Sequence, residues 1–441
     1  MQINALEQKN RLILGLGETG LSVARYLSKN NQPFKVMDTR QQAPGSDELA
    51  MLDAEALIPW SGEQMLGYDQ LVVSPGIAVT QPDIAKAQDY GVDIAGDIEL
   101  FAQANQLPVI AITGSNGKST VTELVGVLLE ASGLKALVGG NIGVPALDLL
   151  TESSDEAVVV LELSSFQLET TYSLKPAAAT ILNISEDHLD RYMDYKAYVE
   201  AKQRIFEHAE TIIENSEDEL TQPNNTSAKR LSFGLSASSD WQVDSKAGEL
   251  RRGGQLVLKL NELTLQGAHN ALNVAAAFAL LEATGVVINE AVINSAKKYS
   301  GMPHRSQLVA VKNEVAYIND SKATNVGATV AAINSFAPEY GKKIILIAGG
   351  DAKDADLSSL KVSIEEHAKK VICFGKDGAT IAALDKGKSL MVSGLEEAVE
   401  QAVASSDAGD CVLLSPACAS WDMFKNYIER GEQFEQLVEA L

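Results

Sequence analysis

The sequence has 441 residues, of which 46% are hydrophobic, and it carries a formal net charge of −23. This length predicts two or three domains, and the ordinary apolar content is enough for each of them to bury a core. The acidic balance, without a basic tract, argues against a general nucleic-acid-binding protein, because such proteins need a cationic surface.

Cysteine usage and the lack of long apolar runs favour the cytoplasm. The cysteines Cys373, Cys411 and Cys418 form no CxxC pair, and an odd number of them fits a reducing compartment. No signal peptide is recognisable, and no apolar run is long enough to span a bilayer. We therefore expect a soluble cytoplasmic protein that does not associate with membranes.

The first block, residues 1–96, has the pattern of a Rossmann-like nucleotide-binding domain. The stretch "RLILGLGETGLSVARYL" predicts a strand, a glycine turn and a helix, with Gly15, Gly17 and Gly20 spaced as G-x-G-x-x-G. The stretch "FKVMDTR" predicts a second strand that ends at Asp38. Because such a turn places a helix N-terminus against an anion, we expect a site for a nucleotide diphosphate. A tight turn without a ligand is the alternative.

The second block, residues 97–301, contains the strand "PVIAITG", which runs into the loop "SNGKST" and an amphipathic helix. The common P-loop, G-x-x-x-x-G-K-[ST], has its first glycine two residues earlier than Gly114, so this loop is a shortened variant ending at Gly117. Its backbone N–H groups and the helix N-terminus face an anion. We expect Lys118 to neutralise the β- and γ-phosphates of ATP and Ser119 to reach Mg²⁺.

Two further strands of this block deliver acidic residues and a histidine to the same edge of the sheet. The strand "AVVVLELSS" carries Glu162 near its carboxyl end, and "AAATILNISEDHLDRY" delivers Asp187, His188 and Asp190 into a loop. Open α/β sheets bind ligands at these strand ends. Glu162 is therefore a candidate magnesium ligand and His188 a candidate site residue. A solvated strand end and a structural histidine are the alternatives.

Lys202 lies on the apolar stripe of a predicted helix. In "DYKAYVEAKQRIFEHA" it follows Tyr195 by seven residues and shares a face with Tyr198 and Ile205. Two interpretations of this position stay open. Either the side chain extends along the apolar surface to water, or the lysine is placed in a site.

The third block, residues 302–441, predicts another mostly parallel sheet. The apolar strands "EVAYIN", "KKIILIAGG", "KVICFG" and "DCVLLSP" end in turn residues, and helical stretches separate them. In the second block, alternating stretches such as "GQLVLKLNELTL" predict hairpins between residues 215 and 265. The chain therefore reads as three α/β units in series.

Motifs from all three blocks together resemble the Mur ligases of peptidoglycan synthesis. These motifs are "TGSNGKST", "LELSSFQLE", "EDHLDRY", "GAHNALNVAAA", "GMPHR", "DSKATN" and "LLSPACASWDMFKNYIERG". Within that family, "DSKATN" and "GDIELF" are similar to the members that add D-glutamate. The resemblance implies an N-terminal Rossmann-like domain for UDP, a central P-loop-type ATPase α/β domain and a C-terminal Rossmann-like domain.

The activity implied by the resemblance is ATP-driven amide formation on UDP-N-acetylmuramoyl-L-alanine. The L-alanine carboxylate attacks the γ-phosphate of ATP and becomes an acyl phosphate, and the amine of D-glutamate then displaces phosphate through a tetrahedral intermediate. The products include ADP and phosphate. The resemblance also implies two Mg²⁺ ions, a carbamate formed from CO₂ on Lys202, and partners that are small molecules. The sequence does not give the oligomeric state, for which we favour a monomer.

The resemblance further implies roles for individual residues. Lys118, His188 and Lys202 are expected to be catalytic. The ATP contacts are expected to be Gly114, Ser115, Asn116, Gly117, Lys118, Ser119, Thr120, Asn273, Arg305 and Asp320. The UDP-sugar contacts are expected to be Thr19, Asp38, Thr39, Arg40, Gly76 and Asn141. The D-glutamate contacts are expected to be Lys322, Thr324, Ser420 and Tyr427, and the metal ligands Ser119, Glu162, His188 and Lys202.

Three other functions explain less of this sequence. A nicotinamide dehydrogenase explains the first glycine turn and Asp38, but not Lys118 or Glu162. A regulatory NTPase explains the loop at Lys118 but not an anion-binding first block. A folylpolyglutamate synthetase shares the acyl-phosphate chemistry but is not expected to carry the first block.

One residue, Glu18, is an acid in a turn meant for an anion, which is tolerable if only its backbone N–H is used.

Overall fold

The computed structural model describes residues 7–40, 42–151, 156–187, 191–223, 227–265, 267–353 and 355–441. The chain forms three sheets in sequence order, each accompanied by helices. This arrangement confirms the predicted fold class of three α/β domains in series. The boundaries after residues 96 and 301 stay a prediction. Within the described ranges, none of the helices is both long and apolar enough to cross a lipid bilayer.

The first sheet is parallel and has the strand order β2-β1-β3-β4. Its strands are β1 (Arg11–Leu14), β2 (Phe34–Met37), β3 (Gln70–Val73) and β4 (Asp93–Ala95). The accompanying helices are α1 (Glu18–Lys29), α2 (Ser46–Leu52), α3 (Gly62–Met65), α4 (Pro82–Asp89) and α5 (Asp97–Ala104). The predicted strand, glycine turn and helix are therefore β1, the turn at residues 15–17 and α1.

The central sheet has the strand order β13-β12-β11-β10-β9-β8-β5-β7-β6. Its strands are β5 (Val109–Thr113), β6 (Lys135–Gly140), β7 (Ala157–Glu162), β8 (Ala178–Ile181), β9 (Thr211–Asn215), β10 (Lys229–Gly234), β11 (Trp241–Asp244), β12 (Glu249–Arg252) and β13 (Gln255–Lys259). Strands β5 to β11 pair in parallel. The antiparallel β11–β12–β13 meander confirms the hairpins predicted for this region.

The helices of the central domain cover both faces of the parallel strands. They are α6 (Lys118–Ala131), α7 (Ala146–Leu149), α8 (Ser165–Leu168), α9 (Tyr195–Gln203), α10 (Ala268–Ala283) and α11 (Glu290–Lys298), with short 3₁₀ turns at Arg204–Phe206, Glu219–Thr221 and Leu260–Glu262. Every residue of β5 and β7 is buried, as expected for parallel strands covered on both faces. Because β5 lies between β7 and β8, the carboxyl ends of these three strands meet at one edge.

The third sheet has the order β14-β15-β19-β16-β17-β18, and only its edge strand β14 is antiparallel to its neighbour. Its strands are β14 (Gln307–Lys312), β15 (Val315–Asn319), β16 (Ile344–Gly349), β17 (Ala368–Phe374), β18 (Ser389–Met391) and β19 (Cys411–Leu414). The helices are α12 (Val326–Tyr340), α13 (Leu360–His367), α14 (Gly378–Ala382), α15 (Leu395–Ser405) and α16 (Tyr427–Glu439). The mostly parallel sheet predicted for this block is confirmed.

Polar contacts join the first domain to the central one. Arg25 on α1 forms an ion pair with Asp148 of α7 in the central domain at 2.5 Å, and it also pairs with Glu48 of its own domain at 2.8 Å. Further along the interface, the Gly96 N–H donates to the carbonyl of Thr170 at 3.2 Å. The backbone hydrogen bond and the Arg25–Asp148 ion pair hold the first sheet in place against the central one.

We predict that Gly20→Ala destabilises the protein although alanine is the better helix former by about 1 kcal/mol. A Cβ at Gly20 would lie 1.9 Å from the Gly15 carbonyl oxygen, so the turn would have to shift. We expect a loss in unfolding free energy on the order of 1–3 kcal/mol, measured by chemical denaturation. Gly17→Ala is the matched control, because a Cβ there meets nothing within 4 Å. Equal stability of the two variants would contradict the close packing of this turn.

Candidate active site

The loop between β5 and α6 is shaped by two glycines with positive φ angles. Gly114 has φ +148° and Gly117 has φ +82°. Residues other than glycine rarely adopt such positive φ angles. A Cβ at Gly117 would also lie 2.8 Å from Oδ1 of Asn273. The segment after β8 holds the loop in place, because the Ser115 N–H donates to the carbonyl of Asn183 at 2.8 Å. The N-terminus of α6 is therefore held open toward a cleft.

Cationic side chains lie over this loop. Lys118 Nζ donates to the carbonyls of Gly114 at 2.8 Å and Ser115 at 2.9 Å, and burial lowers the pKa of this lysine. From the third domain, Arg305 Nη2 donates to Ser119 Oγ at 2.6 Å. An anion placed at the helix N-terminus would therefore meet two positive charges as well as backbone N–H groups.

Glu162, at the carboxyl end of β7, has a carboxylate oxygen that no described residue contacts by a hydrogen bond. Its side chain is 1% exposed; Oε1 accepts from Asn141 Nδ2 at 2.7 Å, whereas Oε2 is buried with no hydrogen bond among the described residues. A buried oxygen of this kind is costly unless a ligand satisfies it. Carboxylate and hydroxyl oxygens suit Mg²⁺, so Glu162 and Ser119 fit a magnesium site.

The histidine predicted for this site lies outside the described residues. His188 and its neighbour Asp190 both belong to the range 188–190, and their proposed roles stay predictions. In the part of the chain that the structure describes, no group of three or more His, Cys, Asp or Glu side chains is placed to hold a metal. The fit to a metal therefore depends on Glu162 Oε2 and the Ser119 hydroxyl.

Lys202, on α9, is buried beneath the glycine loop. Its side chain is 2% exposed, and Nζ donates to the Gly114 carbonyl at 2.9 Å and to Thr113 Oγ1 at 3.4 Å. Nζ also lies 4.8 Å from the centre of the Tyr198 ring. Burial, and then the charge of Lys118, bring the pKa of Lys202 well below its ordinary value. The interpretation in which this lysine extends to water is wrong, since the helix turns its apolar stripe, and Lys202 with it, toward the loop.

The third domain supplies the opposite wall of the cleft. Asp320, directly after β15, accepts hydrogen bonds from the Ser306 N–H at 3.0 Å and Ser415 Oγ at 2.9 Å, and burial raises its pKa to about 7. Lys322 Nζ lies 4.2 Å from the centre of the Tyr427 ring, and burial lowers the pKa of the lysine to about 8. These groups come from strand ends of the third sheet.

Side chains also meet across the cleft from the central and third domains. Asn325 Nδ2, at the start of α12, lies 3.4 Å from Asn116 Oδ1 in the glycine loop. Lys353 Nζ, in the turn after β16, lies 3.4 Å from Asp187 Oδ1. Together with the Arg305–Ser119 bond, these contacts bring the third domain against the loop between β5 and α6. Lys353 was not predicted, although its place after an apolar strand was a usable signal.

The cleft has a volume of about 530 Å³ and brings together most of the predicted ATP and D-glutamate residues. The predicted residues that line it are Ser115, Asn116, Gly117, Lys118, Ser119, Thr120, Asn141, Glu162, Asn273, Arg305, Asp320, Lys322, Thr324 and Tyr427. Gly114 and Lys202 lie behind this lining, and Ser420 is buried beside the cleft residue Trp421. Lining residues that were not predicted include His269, Asn270, Ser306 and Lys353.

The remaining predicted residues lie beside the first sheet. Asp38 accepts from the Leu16 N–H at 2.7 Å and from Arg40, whose side-chain hydrogen bonds hold the pKa of Asp38 at about 2. Thr39 stands between these two residues in the sequence, Gly76 follows β3, and Thr19 is in the first turn of α1. Glu18 begins α1 and is exposed.

Comparison with known protein families agrees with this architecture. The profile of the Mur ligase MurD-like N-terminal domain matches residues 9–96. That of the Mur ligase middle domain matches residues 112–281, and that of the Mur ligase glutamate ligase domain matches residues 304–418. The three matches follow the order of the three sheets.

Individual relatives are similar over nearly their whole length. The UDP-N-acetylmuramoylalanine--D-glutamate ligases of Shewanella violacea and Shewanella oneidensis are 48% and 46% identical to this chain, covering 98% of it and 96% and 99% of the relatives. The crystal structure of the MurF ligase from Thermotoga maritima in complex with ADP has a TM-score of 0.61 at 16% identity, covering 100% of this chain and 97% of that one. With domain profiles matching most of its length, the chain belongs to the Mur ligase family.

Proposed function

We propose that this chain is an ATP-dependent, ADP-forming ligase that adds D-glutamate to UDP-N-acetylmuramoyl-L-alanine in the synthesis of peptidoglycan precursors. Relatives of 44–48% identity over the full length carry that activity in their names. The observation that carries the proposal is the shared cleft, in which the ATP loop with Lys118 and Glu162 faces Lys322 and Tyr427. One cavity can therefore hold the nucleotide, the acyl group and the amino acid together.

The chemistry requires an activated carboxyl group, because a carboxylate does not react with an amine in water. Attack of the alanine carboxylate on the γ-phosphorus of ATP forms an acyl phosphate and releases ADP. The D-glutamate amine then adds to the acyl carbon, loses a proton and expels phosphate as the leaving group. Charge develops on phosphoryl oxygens in the first step, so preorganised cations and N–H donors stabilise it.

Residues of the loop and of the opposite wall are placed for this phosphoryl transfer. The loop at residues 114–120 would hold the β- and γ-phosphates through the Lys118 ammonium and the N–H groups of residues 117–120, because the Ser115 and Asn116 N–H groups already donate to Asn183. Asn273, Arg305 and Asp320 would hold the rest of the nucleotide. Glu162 and Ser119 would hold Mg²⁺, which supplies positive charge beside the phosphates when bound. Oε2 of Glu162, which is buried and has no hydrogen bond from the residues that the structure describes, supports this assignment. A second ion, held with His188, is part of the same proposal.

The amino-acid substrate is assigned to the third-domain wall. Lys322 can pair with a carboxylate of D-glutamate as a point charge, and Thr324 and Tyr427 border the same space. Ser420, which precedes the cleft residue Trp421 in the sequence, would contact the same substrate. The UDP-sugar is assigned to the first domain, with contacts from Thr19, Asp38, Thr39, Arg40 and Gly76, and to Asn141 at the edge of the cleft. Cytoplasmic location and a monomeric state stay predictions.

Lys202 is proposed to carry a carbamate. Burial disfavours its ammonium form, which raises the fraction of neutral amine at neutral pH. A neutral amine reacts with CO₂ to form a carbamate and release a proton. The position beneath the Gly114 carbonyl, 2.9 Å from Nζ, would place the new oxygen atoms next to the ATP loop.

The substrate requirement tests the proposed function directly. We expect release of phosphate from ATP only when UDP-N-acetylmuramoyl-L-alanine and D-glutamate are both present, measured by a coupled phosphate assay. L-glutamate should be a poor substitute, because one amine and two carboxylates must be met in a single chiral arrangement. Equal turnover with L-glutamate or L-lysine would overturn the assignment of the amino-acid substrate.

Lys118→Ala should reduce kcat by at least about 10²-fold, since a preorganised charge is lost from phosphoryl transfer. Its thermal unfolding should stay close to that of the parent, because a cation at a helix N-terminus does not stabilise the helix. Lys196→Ala is the control, because that side chain is 83% exposed on α9. An active Lys118→Ala enzyme would mean that the loop does not bind the ATP phosphates.

Lys202→Ala should be nearly inactive, and a small carboxylate such as formate should restore part of the rate by occupying the vacated place. Lys202→Arg should not respond to formate, because the guanidinium stays charged and fills the space. Removal of bicarbonate at mildly acidic pH should lower the activity of the parent enzyme, since the carbamate is lost there. A plain lysine by intact mass in the active enzyme, together with a fully active Lys202→Ala variant, would contradict the carbamate.

A further inference from the structure

Arg191 reaches from the central domain to the turn that follows β3 in the first domain. Its Nη1 donates to the carbonyl of Pro75 at 2.9 Å, and its Nη2 donates to the carbonyl of Ile77 at 3.0 Å. These two carbonyls flank Gly76, which is assigned to the UDP-sugar site. The guanidinium therefore holds both sides of a proposed substrate contact from a neighbouring domain.

The turn at residues 74–77 is fastened on its other side by the first domain itself. The Ser74 N–H donates to the carbonyl of Leu14 at 2.9 Å, and Ser74 Oγ donates to the carbonyl of Gly15 at 3.1 Å. Inside the turn, the Ile77 N–H donates to the Ser74 carbonyl at 2.9 Å. The turn is thus tied to the glycine loop of β1 on one side and to Arg191 on the other.

Arg191 is itself held by the segment that follows the proposed metal ligand Glu162. Its guanidinium lies 4.2 Å from the centre of the Phe166 ring, and Nη2 lies 3.5 Å from Glu169 Oε2. Phe166 belongs to α8, which begins three residues after Glu162. A planar cation with a ring on one face and two carbonyls at its fork has a defined orientation, which a lysine cannot reproduce.

We propose that Arg191 is a positioning residue that fixes the Gly76 turn and couples binding of the UDP-linked substrate to the central catalytic segment. This inference rests on the proposed function, because it assigns the UDP-sugar to that turn. Without the guanidinium, the turn keeps its hydrogen bonds to β1 but loses the connection through Arg191 to α8. The substrate would then bind more weakly, and its alanine carboxyl would be less well aligned with ATP.

Arg204 offers a matched control within the central domain. Its Nε donates to the carbonyl of Leu168 at 2.7 Å, its Nη2 donates to the carbonyl of Thr171 at 2.7 Å, and its guanidinium lies 5.1 Å from the centre of the Tyr172 ring. The kind of contact is the same, namely two carbonyls and a ring. The carbonyls, however, belong to the central domain and not to the UDP-sugar turn.

The test compares Arg191→Met and Arg191→Lys with Arg204→Met and Arg204→Lys. Calorimetry measures Kd for UDP-N-acetylmuramoyl-L-alanine and for ATP, and steady-state kinetics measures KM and kcat. We expect the Arg191 variants to bind the UDP-linked substrate about 10- to 100-fold more weakly, as for loss of charge-assisted hydrogen bonds, with Kd for ATP changed about twofold or less. The Arg191→Lys variant should not recover the parent's affinity for the UDP-linked substrate. The Arg204 variants should keep the parent's ratio of the two Kd values.

Outcomes that would overturn the inference differ from those that would overturn the proposed function. Arg191 variants with the parent's Kd ratio, or with a loss shared equally by ATP and the UDP-linked substrate, would mean that Arg191 is only structural. If Arg191→Met does not fold, the Arg191→Lys variant decides in the same way. A parent protein that turns over no UDP-linked substrate would overturn the proposed function and this inference with it.

Discussion

The geometry of the site depends on the close approach of backbone and side chains at the loop between β5 and α6. Gly114 lies so near the end of β8 that an added Cβ would be 3.1 Å from Leu182 Cβ, and an added Cβ at Gly117 would be 2.8 Å from Asn273 Oδ1. The start of α6 lies at the cleft, which residues 115–120 line. Glu162 and Asp187 reach the same place because their strands flank β5 in the sheet.

Electrostatics then distinguish this cleft from the rest of the molecule. The chain has a formal net charge of −23, yet Lys118, Arg305, Lys322 and Lys353 all line the cavity. These cations repel one another: burial contributes most to the lowered pKa of Lys322, and the charges of Arg305 and Lys118 lower it further. Cations gathered in a cleft with low-dielectric walls attract anionic ligands despite an acidic surface. Nucleotide, carboxylate and phosphate groups are ligands of this kind.

Sequence patterns predicted the parts of the site that depend on local structure. A buried strand, close glycines and an amphipathic helix located Lys118 and Ser119, and a second apolar strand located Glu162 at its end. Lys202 showed the limit of such patterns, because helical periodicity put it on the apolar face but could not say whether that face met water or the glycine loop. Its burial at 2% exposure decided the point.

The residues that sequence reasoning missed depend on contacts between domains. Lys353 reaches Asp187 only because the third sheet lies against the central one. In the same way, Arg191 reaches residues 75–77 only because the first sheet lies against the central one. No spacing within one segment encodes either contact. The third domain completes the cleft of the central domain, so the relative placement of these two sheets shapes the site.

An oxygen-transfer experiment tests the central claim, that the cleft activates a carboxylate by phosphorylation. UDP-N-acetylmuramoyl-L-alanine labelled with ¹⁸O in its alanine carboxylate is converted with ATP and D-glutamate, and the phosphate released is analysed by mass spectrometry. In the acyl phosphate the bridging oxygen comes from the carboxylate and leaves with phosphorus, so each phosphate should contain one ¹⁸O atom. Unlabelled phosphate, formed at the rate of ligation, would mean that water and not the carboxylate receives the phosphoryl group.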